Sequence, residues 1–128
     1  MTGEPKILAN VIRTPDGTIL QSFHRHDFKT HEDTVTKQIY GVDGGTAYLK
    51  RTGAMGEDLS VFSDDPHELI REWFSWGSYG KHGNEPLKFI KLKDMEDDHV
   101  RAVMDLPYAL PHIRKVMKDE LDYRKQVG

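Results

Sequence analysis

Ser63-Asp64-Asp65-Pro66-His67-Glu68-Leu69-Ile70-Arg71-Glu72-Trp73-Phe74-Ser75-Trp76-Gly77 is the stretch where the hydrophobic period of this chain changes. Before it, apolar residues come in short runs broken by Gly, Pro and Asp. Within it, Leu69, Ile70, Trp73 and Phe74 recur at i, i+1, i+4, i+5, the stripe of an amphipathic helix. Ser63 and the two aspartates stand where an N-cap belongs, Pro66 falls in the first turn, and Glu68 suits the positive end of the helix dipole. The spacing predicts a helix over 66–76, ended by Gly77.

Upstream, the pattern is that of strands. Lys6–Arg13 is a short apolar run with β-branched residues, and Thr14-Pro15-Asp16-Gly17-Thr18 is a hairpin turn, with φ preset by Pro and positive φ open to Gly. The return strand is predicted from Ile19 to about Phe28. Its alternation would place Leu20, Ser22, His24, His26 and Phe28 on one face. Residues 29–38 are polar and read as a loop, Val42-Asp43-Gly44-Gly45 as a turn, and Thr46–Thr52 as a third strand. Gly53-Ala54-Met55-Gly56 turns again before Leu59–Phe62.

Downstream, Gly77–Pro86 reads as a ten-residue loop and Leu87–Leu92 as a strand. Asp94 or Asp97 can cap a second helix carrying Val100, Val103 and Met104, stopped by Pro107. Pro111 opens a third helix with Ile113, Val116, Met117 and Leu121 on its buried face. The fold expected is α+β in a single domain, 1–128: an antiparallel β-sheet built mainly from the N-terminal half, packed with two or three helices from the C-terminal half.

Composition limits the function. The chain has 128 residues, 37% hydrophobic and 30% charged, with 5 Phe, 5 Tyr and 2 Trp, too aromatic for a disordered chain. With no Cys, thiolate chemistry and Cys-ligated zinc are excluded, and a reducing compartment fits. No apolar run approaches the roughly 20 residues of a membrane span, and Met1–Lys6 has no signal-peptide character. A cytoplasmic protein is expected. The net charge of −3 argues against non-specific coating of nucleic acid.

The candidate chemistry is sparse. His24-x-His26-x4-His31, with Asp27 or Asp33 nearby, is weighed as a metal set and set aside in favour of a polar sheet face. No nucleophile elbow is present, and the pairs Asp64-Asp65 and Asp97-Asp98 suit helix N-termini better than general acid–base work. No catalytic constellation and no cofactor are therefore assigned. The segment Gly77-x2-Gly80-Lys81-His82-Gly83-Asn84 is more informative: main-chain N–H groups unshielded by side chains, beside cations, suit an anion. From Lys81 to Lys93 four lysines face one glutamate. Trp73, Phe74, Trp76 and Tyr79 precede the loop, and a helix cannot turn all of the first three inward. An aromatic plane, an amide and arginines (Arg51, Arg101) beside a glycine loop describe a pocket for a nucleotide.

Leu59-Ser60-Val61-Phe62-Ser63-Asp64-Asp65-Pro66-His67-Glu68, Trp76-Gly77-Ser78-Tyr79-Gly80-Lys81, Pro86-Leu87-Lys88-Phe89 and Leu92-Lys93-Asp94-Met95 resemble the first Thoeris anti-defence family, small phage proteins. The likeness runs from His24-Arg25-His26-Asp27 to the Arg101 helix and is densest over 59–101. The resemblance implies a non-enzymatic sponge that binds a cyclic ADP-ribose isomer, a glycocyclic ADP-ribose made by TIR-domain immune proteins, so that the host effector is never activated. It also implies a homo-oligomer, a dimer or a hexameric ring, and in some members a separate site for cyclic trinucleotides of CBASS defence. Phe74 is similar to the base-stacking aromatic, Asn84 to the pocket amide, and Arg101 to the pyrophosphate-binding arginine. Lys50-Arg51 falls where a further ligand-contacting arginine is expected, with either residue as the equivalent. Trp76 and Gly83 frame the pocket, while Arg25, with His24, matches the cyclic trinucleotide site. Phe74→Ala and Arg101→Ala are expected to release ligand with the fold intact.

Three other readings are carried beside it. A small phage RNA- or DNA-binding regulator would use the Lys81–Lys93 basic patch and the aromatics. A metal-dependent nucleotide hydrolase would use His24, His26 and His31. A structural role needs neither. A chain of this size has little room for an enclosed pocket, so completion of the site by a second subunit is expected, with Tyr108 and the outer face of the last helix as a surface for it.

Overall fold

The computed structural model describes residues 4–53, 56–80 and 82–127 of the chain. Ala54, Met55 and Lys81, which belong to the predicted turn and the basic patch, and Met1–Gly3 of the N-terminal reading lie outside the described residues. The chain parts into two compact units, residues 1–62 and 63–128, and each is described by itself. The class is α+β: antiparallel strands dominate the N-terminal half and the helices lie in the C-terminal half. Among the described residues, no helix is long and apolar enough to cross a membrane.

Among its described residues the first unit has seven strands: β1 (Ile7–Arg13), β2 (Ile19–Ser22), β3 (Lys29–Glu32), β4 (Ile39–Asp43), β5 (Lys50–Thr52), β6 (Glu57–Asp58) and β7 (Val61–Phe62). They form two antiparallel sheets rather than the one expected. One has the order β2-β1-β6 with β7 also paired to β1, the other β3-β4-β5. β1 is central and buries Leu8–Ile12, as its apolar run requires. The predicted hairpin turn forms: Thr14 N donates to Thr18 O at 2.9 Å, Gly17 sits at φ 91°, and Arg13 pairs with Ile19. Ile12, Leu20, Tyr40 and Val42 make one buried cluster of this unit, and Leu8, Ala9, Val11 and Val61 are buried as well.

Three expectations are corrected here. The strand from Ile19 stops at Ser22, because Asp27 folds the next residues into a turn. Asp27 Oδ2 accepts from Phe23 N at 2.8 Å, and Ser22 Oγ donates to Asp27 O at 2.6 Å. His24, Arg25 and His26 are exposed turn residues, so the shared strand face assigned to the two histidines does not exist. The loop at 29–38 is instead β3 and a turn held by Asp33. The third strand is confined to Lys50–Thr52, because Ala47 N and Tyr48 N turn back onto Gly44 O.

The second unit holds α1 (His67–Trp73), β8 (Ser75–Ser78), β9 (Lys88–Lys91), a 3-10 turn at Leu92–Asp94, α2 (Asp97–Met104) and α3 (Pro111–Val127). Ile70, Phe74, Leu92, Met95, Val100, Val103, Ile113, Val116 and Met117 are its buried apolar residues. Pro111 opens α3 as expected, but α1 ends at Trp73, three residues before the predicted end at 76. Phe74 turns to extended backbone, its N–H still on Ile70 O at 2.8 Å and its carbonyl taking Leu92 N at 2.8 Å. The chain then runs as β8, antiparallel to β9, with Trp76 opposite Ile90 and Gly77 opposite Phe89. Gly77 therefore ends no helix; a β-carbon there would lie 3.2 Å from Leu87 Cδ1 and 3.4 Å from Phe89 Cε1. The expected caps also move. Pro66 and Glu96 hold the N-cap positions of α1 and α2, neither with a capping side chain.

Candidate functional site

Arg51 is the most elaborately held of the expected ligand residues. On β5 its Nη1 donates to Asn10 Oδ1, and its Nη2 donates to Ser60 Oγ at 2.6 Å and Asp58 Oδ1 at 3.2 Å. Asn10 has no exposed surface, and its Nδ2 donates to three carbonyls, Asp43 O at 2.8 Å, Gly45 O at 3.1 Å and Tyr48 O at 3.2 Å. A buried amide with every partner met is a rigid anchor, and the guanidinium inherits that rigidity. Burial pushes the Asp58 carboxyl upward, but hydrogen bonds from Ser60 and Arg51 outweigh it and hold it below its usual range. Neighbouring Lys50 is exposed on the same strand.

In the second unit, the connection from β8 to β9 is exposed at Tyr79 and over residues 82–87, with Gly80 half-buried. Gly80 and Gly83 take φ 84° and 73°, a backbone that side chains resist, and Gly83 N donates to Gly80 O at 3.2 Å. Glu85 N closes the turn on Tyr79 O at 2.8 Å. Its carboxylate lies against Gly80, so that a β-carbon there would sit 2.1 Å from Glu85 Oε2. Asn84 is exposed in this turn, Tyr79 is 56% exposed, and Trp76 is half-buried on β8. Arg101 on α2 is exposed, with Asp98 Oδ1 3.7 Å from its Nη1.

Phe74 requires a correction. It is 3% exposed, a core residue of its unit with no face open to a base. The expectation that Phe74→Ala leaves the fold intact fails with it, since emptying such a site costs about 3–5 kcal/mol. The surplus of aromatics argued from helical spacing also dissolves: Phe74 and Trp76 are not on the helix. The basic patch is thinner than its composition. Lys93 is paired with Glu72, and Lys91 Nζ lies 4.9 Å from the centre of the Trp73 ring.

The histidine set is likewise rearranged. His31 joins Asp16 and Asp33, with one ligand atom of each within 4.8 Å of the others, while His24 and His26 lie in the turn at 24–27. Both carboxylates are already engaged by the protein. Asp16 accepts from Thr14 Oγ1 at 2.6 Å, His31 Nε2 at 2.8 Å and Thr34 N at 2.9 Å, and these bonds hold it far below its usual range. Asp33 accepts from Asp16 N at 2.7 Å and Thr36 N at 2.6 Å. The three residues fasten the β1–β2 turn to the turn after β3.

Sequence reasoning missed Glu120. On α3, fully buried, it accepts from Arg71 Nε and Nη2 at 2.9 Å each, from His67 Nε2 at 2.9 Å and from Arg124 Nε at 2.6 Å. Burial pushes its carboxyl up, but Arg71, Arg124 and His67 overcome that and bring it down to about 2. The only sequence signal was a Glu on the apolar side of the α3 stripe. Comparison with protein-family models, curated protein sequences and solved structures finds no match to this chain.

Proposed function

We propose that the protein is a phage anti-defence sponge that binds and sequesters a cyclic ADP-ribose isomer without converting it, and so withholds a TIR-derived signal from its effector. The observation that carries the reading is the turn between β8 and β9: residues 82–85 are exposed, Gly80 and Gly83 take positive φ, Asn84 lies within it and Tyr79 and Lys88 flank it. The N–H groups of Gly80, Gly83 and Glu85 are held within the turn, so what it offers a ligand whose pyrophosphate bears two negative charges is the exposed Asn84 amide. Arg101 is the cation of the second unit assigned to that pyrophosphate, and Lys50-Arg51, in the first unit, is the pair that the resemblance assigns to ligand phosphate. The resemblance over residues 59–101 supplies the ligand class, and the absence of Phe74 from the surface leaves Tyr79 and Trp76 as the aromatics open to a base.

A nanomolar site needs about −12 kcal/mol, and one stacked ring contributes only about 1–3 of that. Charged hydrogen bonds in an enclosed setting must add most of the remainder, which favours a homo-oligomer that completes the pocket. Arg25 and His24, both exposed, are the residues for a second site for cyclic trinucleotides.

The test is mass spectrometry of whatever small molecule the protein releases on heating, after incubation with the products of a TIR enzyme. Calorimetry then gives the stoichiometry per chain. Recovery of an unchanged cyclic isomer supports a sponge, whereas recovery of a hydrolysed product means an enzyme. If no small molecule is retained and RNA or DNA binds instead, the sponge is wrong and the nucleic-acid regulator replaces it.

A further inference from the structure

The partners of Arg51 differ sharply in burial. Asn10 is wholly buried and cannot let go without leaving the carbonyls of Asp43, Gly45 and Tyr48 short of a donor. Ser60 Oγ, 2.6 Å from Nη2, also accepts from Val11 N at 3.2 Å and so belongs to the β1 edge. Asp58 is different. Its side chain is 63% exposed, and its Oδ1 reaches the same Nη2 at the longer distance of 3.2 Å while accepting from Ser60 N at 3.0 Å.

Arginine takes an oxyanion in a fork through Nε and Nη2, as Arg71 does with Glu120. On Arg51 the Nη2 half of that fork is shared by Asp58 and Ser60, and the Nε half meets no partner among the described residues. We infer that Asp58 is the built-in occupant of an anion site on Arg51, which a phosphate group enters by displacing the Asp58 carboxylate while Asn10 and Ser60 hold the guanidinium still. This rests on the proposed reading that Arg51 meets the ligand's pyrophosphate, and it adds how access to that residue is regulated.

The physics favours exchange at Asp58 alone. An exposed ion pair is weak and easily traded, whereas a buried, fully bonded amide is not. Exposed Lys50 on the same strand favours the incoming anion, and Glu57, beside Asp58, is already bound to Arg13 Nη1 at 3.1 Å. Asp58 thus sets the affinity threshold: dianions that engage the whole fork displace it, and monoanions gain too little.

Inorganic pyrophosphate is the probe, titrated by calorimetry at fixed low ionic strength into wild type, Asp58→Asn, Glu57→Gln, Arg51→Gln and the Arg51→Gln/Asp58→Asn pair. Asp58→Asn is expected to bind about two- to fivefold tighter, the worth of an exposed ion pair. Glu57→Gln, which removes the same charge one residue away, is expected to match wild type, and the gain is expected to vanish in the Arg51→Gln background. Unchanged or weaker binding by Asp58→Asn overturns the inference. So does an equal gain from Glu57→Gln, or no pyrophosphate binding by any of them. A protein that shows the Asp58 effect yet retains no cyclic ADP-ribose isomer retires the proposed function and leaves this site standing. Retention of the isomer with no Asp58 effect does the reverse.

Discussion

Glu120 and Arg71, 49 residues apart in sequence, meet as a two-pronged pair, with Nε and Nη2 of the arginine each 2.9 Å from a carboxylate oxygen that has no exposure to solvent. The pair joins α1 to α3. Arg124 extends it, donating to the same carboxylate and to the carbonyls of Leu92 at 3.0 Å and Met95 at 2.7 Å. One buried charge therefore organises two helices and the segment between β9 and α2. Glu120→Ala leaves two guanidinium groups and His67 around an empty site and should cost about 3–5 kcal/mol. Urea unfolding followed by circular dichroism measures it, and a loss under 1 kcal/mol would mean that the network is ornamental.

The same residue dictates an acid response. Its carboxyl titrates at about 2 in the folded chain against an ordinary value of 4.5. A depressed carboxylate stabilises the fold fully above its unfolded value and loses that contribution as the pH falls through the folded one. Asp16, Asp33 and Asp58 are lowered too, so they act in the same direction. The melting temperature should therefore hold level above about pH 5 and fall steeply between about pH 4.5 and 2. Glu120→Gln should flatten part of that slope. A melting temperature that stays level down to pH 2.5 would contradict the ionised network.

Phe74 and Arg101 separate a core effect from a ligand effect. Phe74→Ala should lose about 3–5 kcal/mol of stability, so any loss of binding is inseparable from loss of fold. Arg101 is exposed, and among the described residues its side chain is held only by a 3.7 Å contact to Asp98. Its replacement by Ala should change stability by no more than about 0.5 kcal/mol while cutting affinity for the cyclic isomer at least tenfold. Thermal melting and calorimetry on the two variants check both halves. Unaltered affinity in Arg101→Ala removes that residue from the site.

What was legible in the sequence was local. The Thr14–Thr18 turn needs only Pro15, Asp16 and Gly17, and α3 needs only Pro111 and a stripe at helical spacing. What was not legible depended on partners far away. The α1 stripe continues in Phe74, yet that residue leaves the helix because its carbonyl pairs with Leu92 N, and β8 exists because β9 lies beside it. His24 and His26 alternate as strand residues should, but the Asp27 side chain captures Phe23 N and breaks the strand. Within the candidate site, Gly83 and Asn84 fall in an exposed turn, as a glycine-rich segment implies. The burial of Phe74 and the pinning of Arg51 by Asn10, 41 positions away, are tertiary facts with no local trace.

Salt dependence separates the sponge from the nucleic-acid regulator. Between residues 82 and 93, Lys93 is paired with Glu72 and Lys91 lies over Trp73, which leaves Lys88 as the lysine of that stretch with no paired group among the described residues to meet a phosphate backbone. A protein that binds single strands through six or more such contacts would lose several orders of magnitude in affinity between roughly 50 and 200 mM salt. A ligand with only two phosphates gives a far shallower slope. Affinity for the cyclic isomer should fall less than about tenfold over that range. Calorimetric titrations at four salt concentrations measure the slope. A slope above about four counterions would mean that the Lys88–Lys93 face, not the Gly80 turn, is where the protein meets its partner.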